Sequence, residues 1–176
     1  MRLTVELING SPFSMNPLKE RELDLRGNEI TVIENLGVTN DGFDAIDLTD
    51  NEITRLENFP LLKRLTTLLL ANNRIAHIST TLGEQLPNLR VLSLANNRLT
   101  TAQDIEALVG LKRLDHLSLV DNPITKLPNY RLFVIHTLPQ VRVLDGFKVR
   151  QKERHDAEKL FGNSSSSTST STSTSM

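Results

Sequence analysis

The stretch Leu89-Arg90-Val91-Leu92-Ser93-Leu94-Ala95-Asn96-Asn97-Arg98-Leu99 decides how this chain is read. It spells L-x-x-L-x-L-x-x-N-x-L, and the phrase returns four more times. Leu23-Asp24-Leu25 is followed by Asn28 and Ile30, and Ile46-Asp47-Leu48 by Asn51 and Ile53. Leu68-Leu69-Leu70 is followed by Asn73 and Ile75, and Leu117-Ser118-Leu119 by Asn122 and Ile124. The asparagines stand at 28, 51, 73, 97 and 122, so the steps are 23, 22, 24 and 25 residues.

A period of about 20–29 residues carrying this phrase marks a leucine-rich repeat. Each L-x-L is a short strand whose leucines point inward while the residue between them faces out. Successive strands pair in parallel, and parallel crossovers are right-handed. The expected fold is therefore an α/β, right-handed leucine-rich repeat solenoid. Its parallel sheet lies on the concave face, with short helical or 3-10 returns on the convex face. The asparagine turns the chain off the sheet and offers its amide to backbone groups left unpaired by the turn.

Composition agrees. Thirty leucines stand against 4% aromatics and no Trp, as suits a leucine ladder rather than a globule filled by rings. The absence of cysteine excludes disulfides and thiolate metal sites and fits an intracellular compartment. No apolar run approaches a membrane span, and the first residues lack a signal-peptide core. The net charge of −1 conceals an asymmetry. Residues 1–60 carry 5 Lys/Arg against 12 Asp/Glu, a balance of −7; residues 61–176 carry 15 against 9, a balance of +6.

In chain order, residues 1–22 read as an N-terminal cap that hides the first leucines from water. Thr4–Ile8 suits a short helix or a pairing strand, and Gly10, Pro12 and Pro17 keep it from extending further. Residues 23–146 hold the repeats and a terminal cap repeat. Within them, residues 102–111 read as the most helical return, stopped at Gly110, and Pro128–Pro139 reads as a buried helix. Residues 147–162 read as a C-terminal helix that closes the solenoid, a basic RNA-contacting arm being the other reading. Its expected docking face comprises Val149, Lys152, Ala157, Leu160 and Phe161. Residues 163–176 form a Ser/Thr-rich tail expected to be disordered, with a glycosylation-type triplet at Asn163-Ser164-Ser165.

The chain offers little to catalysis. His77, His116, His136 and His155 fall in different repeats without metal-ligand spacing, and no phosphate loop or nucleophile elbow is legible. No enzyme activity, metal or cofactor is expected. The surface to read is the inner one. By register its central row is Asp24, Asp47, Leu69, Ser93 and Ser118. Glu22, Ala45, Thr67, Val91 and His116 flank it on one side, and Arg26, Thr49, Ala71, Ala95 and Val120 on the other. This face is expected to be exposed, acidic over its first two repeats, then small and apolar. Asp24 and Asp47, on strands about 4.8 Å apart, form a like-charge pair suited to a partner's cation.

Beyond the repeat itself, three stretches resemble the U2 small nuclear ribonucleoprotein A-prime family. They are Arg21-Glu22-Leu23-Asp24-Leu25-Arg26-Gly27, Val32-Ile33-Glu34-Asn35-Leu36-Gly37 and Phe43-Asp44-Ala45-Ile46-Asp47. Tyr130-Arg131-Leu132, the run from Pro139 to Asp145 and Lys152-Glu153-Arg154 extend the resemblance, which covers roughly residues 2–162. It implies a non-catalytic nuclear scaffold of pre-mRNA splicing. Such a scaffold holds a helix of an RNA-recognition-motif partner, the B-double-prime protein, in its concave face, and the pair binds a stem-loop of U2 small nuclear RNA beside other spliceosomal proteins. It also implies RNA contacts near the start of the array, for which Lys19, Arg21 and Arg26 are the candidates here. From the residues alone, six Phe, one Tyr and no aromatic RNA-binding motif provide no base-stacking platform, so the partner must supply base readout. Two other readings stay open: a leucine-rich regulatory subunit of a nuclear protein phosphatase, and a histone-binding chain like the acidic nuclear phosphoproteins.

Overall fold

The computed structural model describes residues 1–162. The Ser/Thr tail and its glycosylation-type triplet lie outside the described residues.

An eight-stranded sheet runs through the molecule. Its parallel body is β2 (Arg21–Asp24), β3 (Ala45–Asp47), β5 (Thr67–Leu69), β7 (Val91–Ser93), β8 (His116–Ser118) and β9 (Val143–Leu144). The register is the one the repeat predicts: Glu22, Ala45, Thr67, Val91 and His116 are successive partners, as are Asp24, Asp47, Leu69, Ser93 and Ser118. Inward-facing Leu23, Ile46, Leu68, Leu92 and Leu117 are no more than 2% exposed. Burying each contributes about 1.5–3 kcal/mol.

Four asparagines bolt the repeats together. Asn97 is typical: its amide divides its donation among the carbonyls of Leu70 (2.9 Å), Leu94 (3.0 Å) and Ala95 (3.3 Å), while its Oδ1 accepts from Ile75 N (2.9 Å). Asn51, Asn73 and Asn122 repeat the pattern, each joining its own turn to the preceding repeat. Asn28 has no earlier repeat to reach, and its amide donates only to Arg26 O (3.0 Å).

Both ends of the sheet are antiparallel hairpins. At the start, helix α1 (Val5–Gly10) covers the first repeat, capped by the Thr4 hydroxyl, and β1 (Phe13–Met15) pairs with β2. At the other end β10 (Phe147–Lys148) pairs with β9, and only then does a helix begin, over Gln151–Phe161 (here α5). The expected helical segment 147–162 is therefore a strand followed by a helix. Of its expected docking face, Ala157 and Val149 are buried and Phe161 meets the Phe133 ring edge-on at 5.8 Å. Lys152 and Leu160 are exposed, so they play no part in that packing.

The returns hold one unexpected element: β4 (Arg55–Leu56) and β6 (His77–Ile78) form a second, two-stranded parallel sheet. Helices α2 (Leu82–Gln85) and α3 (Ala102–Glu106) come after it, α3 running into a 3-10 turn at Ala107–Gly110. The return stops at Gly110, as expected, and Gly110 is also a place of close approach, since a Cβ on Gly83 would stand 2.3 Å from its carbonyl carbon. Among the described residues no helix is long and apolar enough to cross a membrane.

The C-terminal cap is tied by polar side chains. Helix α4 (Tyr130–Thr137) packs on α5, and the Tyr130 hydroxyl donates to Asp145 Oδ2 at 2.8 Å. The other oxygen of Asp145 accepts from Leu119 N at 2.6 Å, doing for the last strand what a backbone carbonyl does elsewhere. Glu153 accepts from the Arg131 guanidinium at 2.7 and 3.3 Å and from Arg150 N at 2.8 Å. Arg131 holds the Glu153 carboxyl below the usual carboxylate range, against the opposing effect of burial. A depressed folded-state pKa means stability that is present above the unfolded value and lost as pH falls through the folded one. Melting temperature should therefore fall as the pH drops through and below the usual carboxylate range. In Glu153→Gln it should start lower at neutral pH and fall less over that window. An unchanged acid slope would show that this cluster does not hold the cap.

Candidate functional site

The outward-facing rows of the parallel sheet form the candidate surface, and their side chains differ from the sequence expectation in two ways. The rows are less open than expected: Ala45 is 0%, Asp47 6% and Thr67 6% exposed. The acidic mouth is also already occupied from within. Arg26 donates to Asp24 through Nε (3.0 Å) and Nη2 (2.6 Å) and approaches Asp47 Oδ2 at 3.5 Å. Two carboxylates on neighbouring strands repel unless a cation lies between them, and Arg26 is the cation the loop after β2 supplies. It holds the Asp24 carboxyl below its ordinary range. Asp47 also accepts from Thr49 N at 2.9 Å, which ties it to its own turn. The mouth is thus an Asp–Arg–Asp cluster in which one cation is shared by two carboxylates, so part of its negative charge remains.

Beyond it the surface is small and apolar, as the register predicts. Leu69, Val91, Ala71 and Ala95 are half-buried, and Val120 is 40% exposed. Ser93 and Ser118 are half-buried, and so is Thr49 in the row of Ala71 and Ala95.

The three cations expected near RNA do not act alike. Arg21 lies with its guanidinium 4.8 Å from the Phe13 ring centroid and 5.1 Å from that of Phe43. It shares the parity of Leu23, so it points away from the concave rows, and its Nε is buried without a hydrogen-bond partner. Arg26 is engaged by the aspartates. Lys19, exposed in the turn between β1 and β2, is the one of the three with neither an ion pair nor a ring contact among the described residues. Phe13 and Phe147 are 58% and 72% exposed, but they belong to the opposite edge strands, β1 and β10, and so do not make one stacking platform.

A further set escaped the sequence reading. The residues at the entry to each strand, Arg21 as the first residue of β2 and Asp44, Thr66, Arg90, Asp115 and Arg142 just before the others, occur at one fixed offset and are rich in charge. From Asp44 onward, one carbonyl accepts from two successive N–H groups of the next strand. Arg90 O takes Asp115 N and His116 N, both at 2.9 Å, and Asp44, Thr66 and Asp115 do the same. This kink at strand entry brings Thr66, Arg90 and Asp115 to the rim of the outward-facing rows. Asp44 accepts from Arg64 Nε (2.8 Å) and from Arg21 N (2.8 Å), and Arg64 depresses its pKa. The offset itself was the signal, hidden because attention to a repeat falls on its leucines.

The histidines stay apart: His77 faces Asp104, His116 faces Asp115 and His136 faces Glu158. Among the described residues no group of three or more His, Cys, Asp or Glu converges on a metal-sized site.

A leucine-rich repeat family model matches residues 1–171. U2 small nuclear ribonucleoprotein A' of Arabidopsis thaliana is 56% identical over 166 residues, which is 94% of this chain and 67% of the relative. The Homo sapiens protein of the same name is 53% identical over 161 residues, 92% of this chain and 63% of the relative. The chain belongs to the U2 small nuclear ribonucleoprotein A' family. It spans about two thirds of the length of these curated relatives. Among solved structures, a chain of the Drosophila melanogaster SNF/U2A' complex superposes with a TM-score of 0.89 at 50% identity, covering 92% of both chains. The relatives are thus named for a ribonucleoprotein particle, and the similar solved chain comes from a complex.

Proposed function

We propose that this chain is a non-catalytic scaffold of the U2 small nuclear ribonucleoprotein, working in the nucleus in pre-mRNA splicing. Its outward-facing rows hold a helix of an RNA-recognition-motif partner of the B-double-prime kind. The pair, rather than this chain alone, grips a U2 small nuclear RNA stem-loop. The observation that carries the reading is the 0.89 superposition on a chain solved in the SNF/U2A' complex. The physics of the surface supports it. A continuous strip of small and apolar side chains from Leu69 to Val120 accepts a helix closely, and the Asp24–Arg26–Asp47 cluster gives that strip a polar end. The relatives do not favour the phosphatase-subunit or histone-binding readings.

RNA contact by this chain is a supporting role. The first 60 residues carry −7, which repels phosphate, and of the three nearby cations only Lys19 stands free of an ion pair or ring contact among the described residues. Each phosphate pair gained would steepen the salt dependence by roughly one counterion. A gel shift on the stem-loop tests the whole reading, using this chain alone, the partner alone and the two together. The mixture is expected to bind more tightly than the partner alone, and this chain alone to give no shift. No effect on the partner's binding overturns the reading.

A further inference from the structure

The rim of the sheet holds a depression of about 240 Å³ beside the outward-facing rows, over the third, fourth and fifth parallel strands. Its ionisable groups are Glu20, Arg90, Asp115 and His116, with Thr66, Thr67 and Val91 between them. Both carboxylates are already committed. Glu20 Oε1 accepts from the hydroxyls of Thr66 and Thr67, each at 2.9 Å, and its Oε2 accepts from the Asn16 amide at 2.9 Å. Asp115 Oδ1 faces Arg142 Nε at 2.7 Å and its Oδ2 faces His116 Nδ1 at 2.9 Å. Arg90 is different. It is exposed, and its guanidinium has neither an ion pair nor a side-chain hydrogen bond among the described residues. The kink at strand entry fixes its backbone, since Arg90 N donates to Thr66 O at 2.8 Å.

We infer that Arg90 is a specificity residue of the partner interface: it receives a carboxylate side chain on the helix held by the outward-facing rows. The inference rests on the proposed function and adds the chemistry of one contact. Glu20 is engaged by hydroxyl and amide donors and Asp115 is paired with Arg142, so Arg90 is the cation of the depression left open to an incoming carboxylate. The guanidinium presents a planar fork that matches a carboxylate through two parallel hydrogen bonds. The adjoining Val91 and Leu69 are part of the apolar strip, so a helix lying on the strip brings its flank over the depression. The partner is therefore expected to carry Asp or Glu on the flank facing the fourth repeat, and a partner with Lys or Arg there is rejected.

The test is titration calorimetry of this full chain with the RNA-recognition-motif domain of the B-double-prime protein. Wild type, Arg90→Glu, Arg90→Lys and Leu69→Arg are compared at low and high salt. Arg90→Glu should weaken binding by about tenfold or more at low salt, with a smaller gap at high salt, because a rim charge pair is screened. Arg90→Lys, which keeps the charge and loses the fork, should fall between the two. Thermal unfolding of Arg90→Glu should match wild type, since the side chain is exposed and unpaired. If wild type binds, Leu69→Arg does not, and Arg90→Glu binds as wild type does, the assignment of Arg90 is wrong while the interface stands. If wild type itself fails to bind, the proposed function falls, and this inference with it.

Discussion

Asn97→Ala should lower the unfolding free energy by about 3–5 kcal/mol, far more than the loss of one surface amide. The cost is uneven across its partners. Ile75 N has no acceptor besides Asn97 Oδ1, so it becomes a buried orphan, at about 1–3 kcal/mol. The carbonyls of Leu70 and Leu94 each keep a second donor, from the Asn73 and Asn122 amides, so each loses about 1 kcal/mol rather than the full desolvation penalty. Because the array is held by nearest-neighbour contacts, the damage falls on the joint between the third and fourth repeats. Urea unfolding of Asn97→Ala beside Asn28→Ala checks this. Asn28 is half-buried and its amide makes a single bond, so its removal should cost under about 1 kcal/mol. Equal losses at the two positions would mean that the buried ladder does not hold the repeats together.

Leu69→Arg should abolish partner binding with little effect on the fold. Leu69 stands at the middle of the central row, between Asp47 on β3 and Ser93 on β7, and is the largest apolar side chain of that row. It faces outward and is half-buried in the free chain, so an Arg there keeps its head in water and costs the solenoid little. Against a docked helix the same charge would be buried without a partner. Central apolar positions of an interface carry a large share of its energy, and a loss of at least about 100-fold in affinity, some 2.7 kcal/mol, is expected. Calorimetry with the RNA-recognition-motif domain reads this directly, and circular dichroism confirms the unchanged fold. Affinity within about threefold of wild type would place the partner on another surface.

The two predictions draw on different parts of the repeat, a turn and an outward-facing strand position, and they differ in how far the sequence reveals them. The asparagine ladder, the inward leucines and the order of the outward rows come from local rules. A two-residue alternation and a period of 22–25 residues leave one register that buries every leucine. Membership of the outward rows was therefore legible from residue numbers alone. Their electrostatic state was not. Whether Asp24 and Asp47 present an open acidic pair depends on where one flexible side chain, Arg26, comes to rest.

Arg21 makes the same point over a longer distance. In the sequence it is a cation near the start of the array; in the fold it lies between Phe13 and Phe43, and one of these rings arrives a full repeat later. Glu20 looks like another unit of the N-terminal acidic excess, yet it is satisfied by Thr66 and Thr67, 46 and 47 residues away. Arg90 becomes conspicuous only because its neighbours are taken. The sequence by itself determined the solenoid, the strand register and the face available to a partner, because those depend on periodicity, which is a local property of the chain. Only the tertiary structure decided which charges on that face are spent and which are open. Charge pairing is set by distances of a few ångströms between side chains from different repeats, and no period in the sequence encodes those distances.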